Sequence, residues 1–233
     1  MTRTAHTLTE MYEAMLAAHG HRGWWPSSAG ADTPEGKLEI AVGAILTQNT
    51  NWRNVQRAIG NLQTARVMSL GALNALPHEQ LAELIRPAGY FNIKAKRLKN
   101  FLAHVVGAFG EDIAAFLDRP VGVLREELLS INGIGRETAD SIILYAAGRP
   151  SFVVDAYTAR ILFRHHLIAP EDGYDEIQAL FESSLPEDAA LWNDYHAQLV
   201  EVGKRFCRKS RPKCQGCPLE ALPHDAMAGM EEY

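Results

Sequence analysis

Apolar residues return every three or four positions along most of this chain, the period of an α-helix with one buried face. Leu38, Val42, Ile45 and Leu46 form one such set, Leu81, Leu84 and Ile85 a second, and Leu124, Leu128 and Leu129 a third. Short turn signals separate these stretches: Pro26 to Gly30, Ser69-Leu70-Gly71, Pro87-Ala88-Gly89 and Asn132-Gly133-Ile134-Gly135. Only Ser151–Val154 has the character of a strand, and it is too short to build a sheet. The pattern predicts an all-α fold. It shows no internal repeat and no low-complexity tract. The tail beyond His224 is acidic and rich in small residues, and is expected to fray.

At 233 residues the chain has room for one large or two small domains. Apolar residues make up 47% and charged residues 22%, an ordinary globular balance. No apolar run approaches the roughly 20 residues of a membrane span, and the N-terminus lacks the apolar core of a secretory signal. The expectation is a cytoplasmic protein. A net charge of −5 argues mildly against a nucleic-acid partner, but attraction to phosphates is local. Lys204, Arg205, Arg208, Lys209, Arg211 and Lys213 form a run with no acid among them, and Lys94, Lys96, Arg97 and Lys99 form a second knot. Either can equally be a solvated face.

The most informative segment runs from Leu128 to Asp140. An apolar helix enters a turn holding Gly133, Ile134 and Gly135, and Arg136-Glu137-Thr138-Ala139 opens the next helix. Glycines there allow positive φ and close approach of the backbone to a ligand. The amides of Gly133, Ile134 and Gly135, with the free N–H groups of the following helix, can then face one phosphate. Such a contact positions a protein on a duplex without reading its sequence. An ordinary turn with a glycine cap has the same look. Downstream, Asp155 ends the extended stretch Ser151–Val154 and starts a helix. It reads first as an N-cap, but a carboxylate at a helix N-terminus also stays ionised and fixed in direction. Breaking an N-glycosidic bond develops positive charge on the sugar, which such a group can stabilise or attack with water.

Ile131-Asn132-Gly133-Ile134-Gly135-Arg136-Glu137-Thr138-Ala139, followed by Val153-Val154-Asp155-Ala156-Tyr157, resembles the helix-hairpin-helix Gly/Pro…Asp signature of the endonuclease III superfamily. The likeness extends to Ala44–Thr50 and to the C-terminal cysteines, so it spans nearly the whole chain. It implies two helical lobes with a DNA-binding cleft between them. One is a six-helix, barrel-like lobe over 27–148, with the hairpin at 120–147. The other joins 1–26 to 149–233 and carries a cysteine loop at 207–217. It also implies damaged double-stranded DNA as partner, a nucleoid-associated monomer, and Asp155 as the catalytic group. The bifunctional members carry a lysine at the position of Glu137. A carboxylate forms no Schiff base and Arg136 is permanently protonated, so a monofunctional hydrolase without lyase activity is expected.

Trp24-Trp25-Pro26, Leu46 to Trp52, and Ile85 to Asn92 look most like the 3-methyladenine DNA glycosylases of that superfamily, the bacterial type called MagIII. A base alkylated on a ring nitrogen is cationic, so stacking with a cation–π component of roughly 0.5–2 kcal/mol can recognise it once it is flipped out. Trp24, Trp25, Pro26 and Trp52 are the candidate walls, although tryptophans are usually packed inside. Gln48 and Asn49 are candidates to fill the gap the base leaves, or are surface amides at a helix end. Alternatives for the whole chain are a glycosylase/AP lyase for oxidised pyrimidines and a non-catalytic hairpin DNA binder.

All three cysteines lie in Cys207-x6-Cys214-x2-Cys217 within the basic run. The superfamily's cluster loop adds a fourth cysteine after five intervening residues, where this chain has Pro223; His224 is next to it. Three readings stand: a [4Fe–4S] cluster with an atypical fourth ligand, a zinc site from the three cysteines and His224, and a loop without metal. In each the loop presents Arg208, Lys209, Arg211 and Lys213 to phosphates. Arg160, Arg164, His165 and His166, on the helix after Asp155, read as structural, most simply as surface or interface groups.

Overall fold

The computed structural model describes residues 2–228. Among them no strand forms, and the helices run in the order α1 Arg3–His19, α2 Pro34–Thr47, α3 Trp52–Thr64, α4 Leu70–Ala75, α5 His78–Leu84, α6 Phe91–Phe109, α7 Ile113–Leu117, α8 Val121–Ser130, α9 Arg136–Ser141, α10 Ala156–Arg164, α11 Tyr174–Ser184 and α12 Ala189–Arg205. Two compact units result. One is Trp25–Arg149; the other combines Met1–Trp24 with Pro150–Tyr233. Ser151–Val154 is buried chain with no regular structure rather than a strand.

In the Trp25–Arg149 unit the central element is α2. Thr33 caps it by accepting from the Gly36 amide at 3.0 Å, and Pro34 fits the first turn, where no N–H is needed. Leu38, Val42, Ile45 and Leu46 do not mark a single inward face. Glu39 to Leu46 are all buried, because α3, α6, α7 and α9 pack around this helix. Even Glu39 is inside, accepting from the Ser28 amide at 3.0 Å, the Ser28 hydroxyl at 2.5 Å and Gln63 at 3.1 Å. Its partners satisfy a charge that would otherwise be costly to bury.

Around α2 the basic knot on α6 is largely internal. Lys94 is 1% exposed, and its ammonium donates to the Leu46 carbonyl at 2.9 Å and the Ala88 carbonyl at 2.7 Å. Burial, with the nearby Arg97 charge, pulls it down to about 8. Lys99 donates to the carbonyls of Asn74 and Leu76, leaving Lys96 as the fully exposed member of the knot. These side chains tie off helix ends, whose carbonyls otherwise lack donors. The two hairpin helices are joined by the Asp140 carboxylate. It is fully buried and takes two bonds from the Arg125 guanidinium at 2.8 and 3.1 Å. Removing one member of such a buried pair typically costs about 3–5 kcal/mol.

In the other unit α1 packs on α11 and α12, and α10 packs on α12. Phe152 stacks on Phe181 at 3.8 Å, and Tyr195 packs edge-on against both rings. Gly203 is what lets α12 approach α10, since a Cβ there would overlap the Tyr157 ring. The tail does not simply fray after His224. The Asp225 amide donates to the Arg164 carbonyl at 2.8 Å, and Arg164 Nε donates to the Ala228 carbonyl at 3.2 Å. Residues 229–233 lie outside the described residues.

Candidate active site and nucleic-acid interface

Asp155 is the N-cap of α10, with φ −120° and ψ 176°. Its Oδ1 accepts from the Thr158 amide at 2.8 Å and the Thr158 hydroxyl at 3.0 Å. Its Oδ2 faces His196 Nε2 on α12 at 3.6 Å, an ion-pair contact longer than a hydrogen bond. Burial raises the carboxyl's pKa, but His196 and the two Thr158 donors together outweigh it. The group is held below the usual carboxylate range. The carboxylate is therefore ionised, largely buried and fixed by one oxygen. The local sequence showed the cap; it gave no sign of His196, which lies 41 residues further on and was not among the candidate site residues.

The hairpin consists of α8, a turn over 131–135, and α9, which continues into a π-turn over Ile142–Ala146. Gly133 has φ +99°, and a Cβ at that position would run into the stem of Arg97. Gly135 is exposed and begins α9, followed by exposed Arg136 and Glu137. Ile134 departs from the expectation that its amide faces a phosphate. Its N–H donates to the Ile131 carbonyl at 3.0 Å and closes the turn, and its side chain is buried. The remaining candidate donors are Gly133, Gly135 and the first turn of α9.

Gln48 is bound to this hairpin rather than presented. Its amide donates to the Gly133 carbonyl at 3.1 Å and the Thr138 hydroxyl at 2.9 Å, and its carbonyl accepts from Arg97. The next residue, Asn49, is exposed with φ +53°. Tyr90, which was not among the candidate site residues, is 70% exposed at φ +44°, and Ile93 one turn later is 54% exposed. A left-handed conformation is uncommon for a bulky residue, and it turns this ring outward where apolar area is normally withdrawn.

Trp25 and Trp52 come together edge to face, with centroids 4.9 Å apart, and Tyr145 in the π-turn packs against Trp25 at 5.2 Å. Gly43 makes room for Trp25, because a Cβ there would stand 3.1 Å from the indole. Both tryptophans keep partial exposure, while Tyr145 is buried. Tyr145 sits in a π-turn, an irregularity common at functional sites, but nothing in the sequence pattern sets it apart from a core residue. Trp24, half-buried, ends the first segment of the other unit, and Pro26 is exposed.

Arg208, Lys209, Arg211 and Lys213 are all exposed on the C-terminal loop. Arg164 holds that loop from inside. At 4% exposure, its guanidinium donates to the Arg208 carbonyl at 2.8 Å, the Lys209 carbonyl at 3.2 Å and Cys207 Sγ at 3.3 Å. Cys207, Cys214, Cys217, His165 and His224 line one cavity with it. His165, half-buried, is thus an interface group at the edge of this cavity. Its Nδ1 pairs with the Pro223 carbonyl at 3.0 Å, and burial pulls it down to about 4. His224 Nδ1 pairs with the Leu222 carbonyl at 2.8 Å, which leaves its Nε2 lone pair available. Among the described residues no His, Cys, Asp or Glu side chains are drawn together as a ready-made metal site, whether for zinc or for an iron–sulfur cluster. The donor set does suit an anionic thiolate assembly. Arg164 is a permanent cation whose partners are carbonyls and sulfur, while burial pushes Cys217 up to about 11, so metal binding there must displace its proton.

Known proteins resemble this chain in sequence and in fold. Residues 42–187 match the family described as HhH-GPD superfamily base excision DNA repair proteins. A protein of Methanocaldococcus jannaschii, provisionally named a DNA repair glycosylase, is 47% identical over 91% of this chain and 93% of its own. The crystal structure of the H. pylori 3-methyladenine DNA glycosylase MagIII bound to 1,N6-ethenoadenine is similar with a TM-score of 0.72 at 28% identity, over 88% of this chain and 98% of that one. A non-covalent endonuclease III–DNA complex shares the fold with a TM-score of 0.77 over 97% of each chain, at 20% identity.

Proposed function

This chain belongs to the HhH-GPD superfamily of base excision DNA repair proteins, a family of DNA glycosylases, and on that premise we propose that it is a monofunctional glycosylase releasing alkylated purines, chiefly 3-methyladenine, from duplex DNA. The observation that carries this reading is the Asp155 carboxylate, ionised and fixed through Thr158. It stabilises the cationic sugar as the base departs, and it orients water toward C1′. Glu137 opens α9 where a lyase needs an amine, so hydrolysis is the outcome. Trp25 and Trp52 supply faces and edges for an electron-poor base, with Tyr145 behind Trp25. The similarity to a MagIII structure holding an ethenoadenine supports an alkylated adenine as ligand.

DNA is gripped at the hairpin amides with Arg136, and at Arg208, Lys209, Arg211 and Lys213. Tyr90 and Asn49, outward and left-handed, enter the base stack when the nucleotide is extruded. Gln48 instead braces the hairpin. The protein acts as a monomer at the nucleoid; no helix among the described residues is long and apolar enough to cross a membrane.

Incubation with methylated duplex and chromatography of the released bases tests the substrate. Free 3-methyladenine is expected, together with no covalent adduct on borohydride reduction. Adduct formation would remove the monofunctional reading.

Cys207, Cys214 and Cys217, with His224 in place of a fourth cysteine, would hold a [4Fe–4S] cluster whose role is to fix the loop. The protein purified without oxygen should absorb in the visible region and lose that absorption in a Cys214→Ala variant. A colourless, iron-free protein of full activity overturns the assignment.

A further inference from the structure

His196 is an ionisable side chain that no assigned role uses, and it is turned toward the proposed catalytic group. It lies on α12 with its side chain 8% exposed, and its Nε2 is 3.6 Å from Asp155 Oδ2, itself on a side chain only 13% exposed. The two oxygens of Asp155 are thus treated differently. Oδ1 carries both Thr158 bonds and caps α10. Oδ2 is left to do the chemistry, and the imidazole is what faces it.

The approach is built into the helix packing. Gly203, two turns beyond His196 on α12, lets the Tyr157 ring lie against the helix, and Arg160 on α10 donates to the Gly203 carbonyl at 3.4 Å and the Cys207 carbonyl at 2.7 Å. These contacts set α10 and α12 side by side, and His196 meets Asp155 across that seam.

We propose that His196 is a positioning residue for Asp155: its Nε2–H orients Oδ2, so that the carboxylate keeps one direction as positive charge develops on the sugar. The contact is a few tenths of an ångström too long for a hydrogen bond. Catalytic hydrogen bonds are often this loose without substrate and tighten in the reacting complex. Thr158 already restrains the planar carboxylate through Oδ1, and a second donor at Oδ2 narrows the twist about Cβ–Cγ that remains; small misplacements of a reacting group cost about a hundredfold in rate. The pull of His196 on the Asp155 ionisation is consistent with this direction of donation.

The inference rests on Asp155 being the catalytic carboxylate, and the test separates the two ideas. Single-turnover base release and DNA affinity are measured for His196→Ala, His196→Gln, His196→Asn, Asp155→Asn, and the Asp155→Asn/His196→Ala pair. Glutamine can place an amide N–H near the position of Nε2; asparagine is too short. The expected result is about a 10- to 100-fold loss of rate for His196→Ala with KM and DNA affinity unchanged, recovery of most of that rate in His196→Gln, and none in His196→Asn. In the Asp155→Asn background, removing His196 should cost nothing further, as expected when one residue acts only through the other.

Wild-type rates in His196→Ala, or equal rates in the Gln and Asn variants, overturn the positioning role while leaving Asp155 in place. Full activity of Asp155→Asn overturns the proposed function itself. Should His196→Ala fail to fold, the comparison of the Gln and Asn variants decides alone.

Discussion

Base release from methylated DNA falls by at least about a thousandfold when Asp155 becomes asparagine, with duplex affinity within a few-fold of the parent. The size follows from losing a preorganised charge opposite a developing cation, on a side chain only 13% exposed. Asparagine is the informative replacement because it is an equally good N-cap. Its side-chain oxygen can still accept from Thr158, so α10 keeps its start, while the charge and the acceptor that faces His196 disappear. Quenched single-turnover assays beside a binding isotherm measure both quantities, and unchanged release removes Asp155 from the chemistry. The same carboxyl has a sign in pH. Its folded pKa is depressed, so the stability it contributes is complete above the ordinary carboxylate range and is lost only as pH falls through the lower, folded value. Activity should therefore hold level down to that range.

The second large effect is on DNA binding. Gly133→Ala should weaken binding to duplexes of any sequence by about 10- to 100-fold and lower the dependence on salt. Gly133 has φ +99°, a region costly for alanine, and the added Cβ meets the stem of Arg97, which is tied to Gln48. The turn must shift, and a charge-assisted contact from its backbone to a phosphate, of about 1.5–3 kcal/mol, goes with it. Titration at two salt concentrations reads both numbers. Parental affinity in the variant would mean that this turn does not hold the backbone.

Local patterns made much of this legible. Helical period and the glycine turn gave the hairpin, and the step from Val154 to Asp155 gave the cap of α10, because each depends on neighbours in sequence. Tertiary neighbours were not readable in the same way. Lys94 looked like one of four surface cations, yet two helix-end carbonyls hold it inside. Gln48 looked free, yet three residues of its own unit engage it. Ile134 looked like a phosphate donor, yet the turn needs its amide. Periodicity also misled at α2, where a set of four residues suggested a single buried face on a helix that is surrounded. His196 and Tyr145 had no signal beyond that of ordinary helix residues, since distance along the chain hides what α12 and the π-turn bring near.

The unit bearing Asp155 is assembled from opposite ends of the chain, Met1–Trp24 and Pro150–Tyr233, whereas Trp25–Arg149 is continuous. The apolar face of α1, with Leu8, Met11 and Met15, is covered by α11 and α12. Tyr195 on α12 then donates to the Leu8 carbonyl at 2.8 Å. A ribosome moving at about 5–20 residues per second needs roughly 10 to 40 s between making α1 and making α12. The first helix emerges long before its partner, while the middle of the chain can close as it appears. A nascent chain cut short thus owns the hairpin helices α8 and α9 but not α12, and so lacks both the cover of α1 and the His196 side chain that faces Asp155.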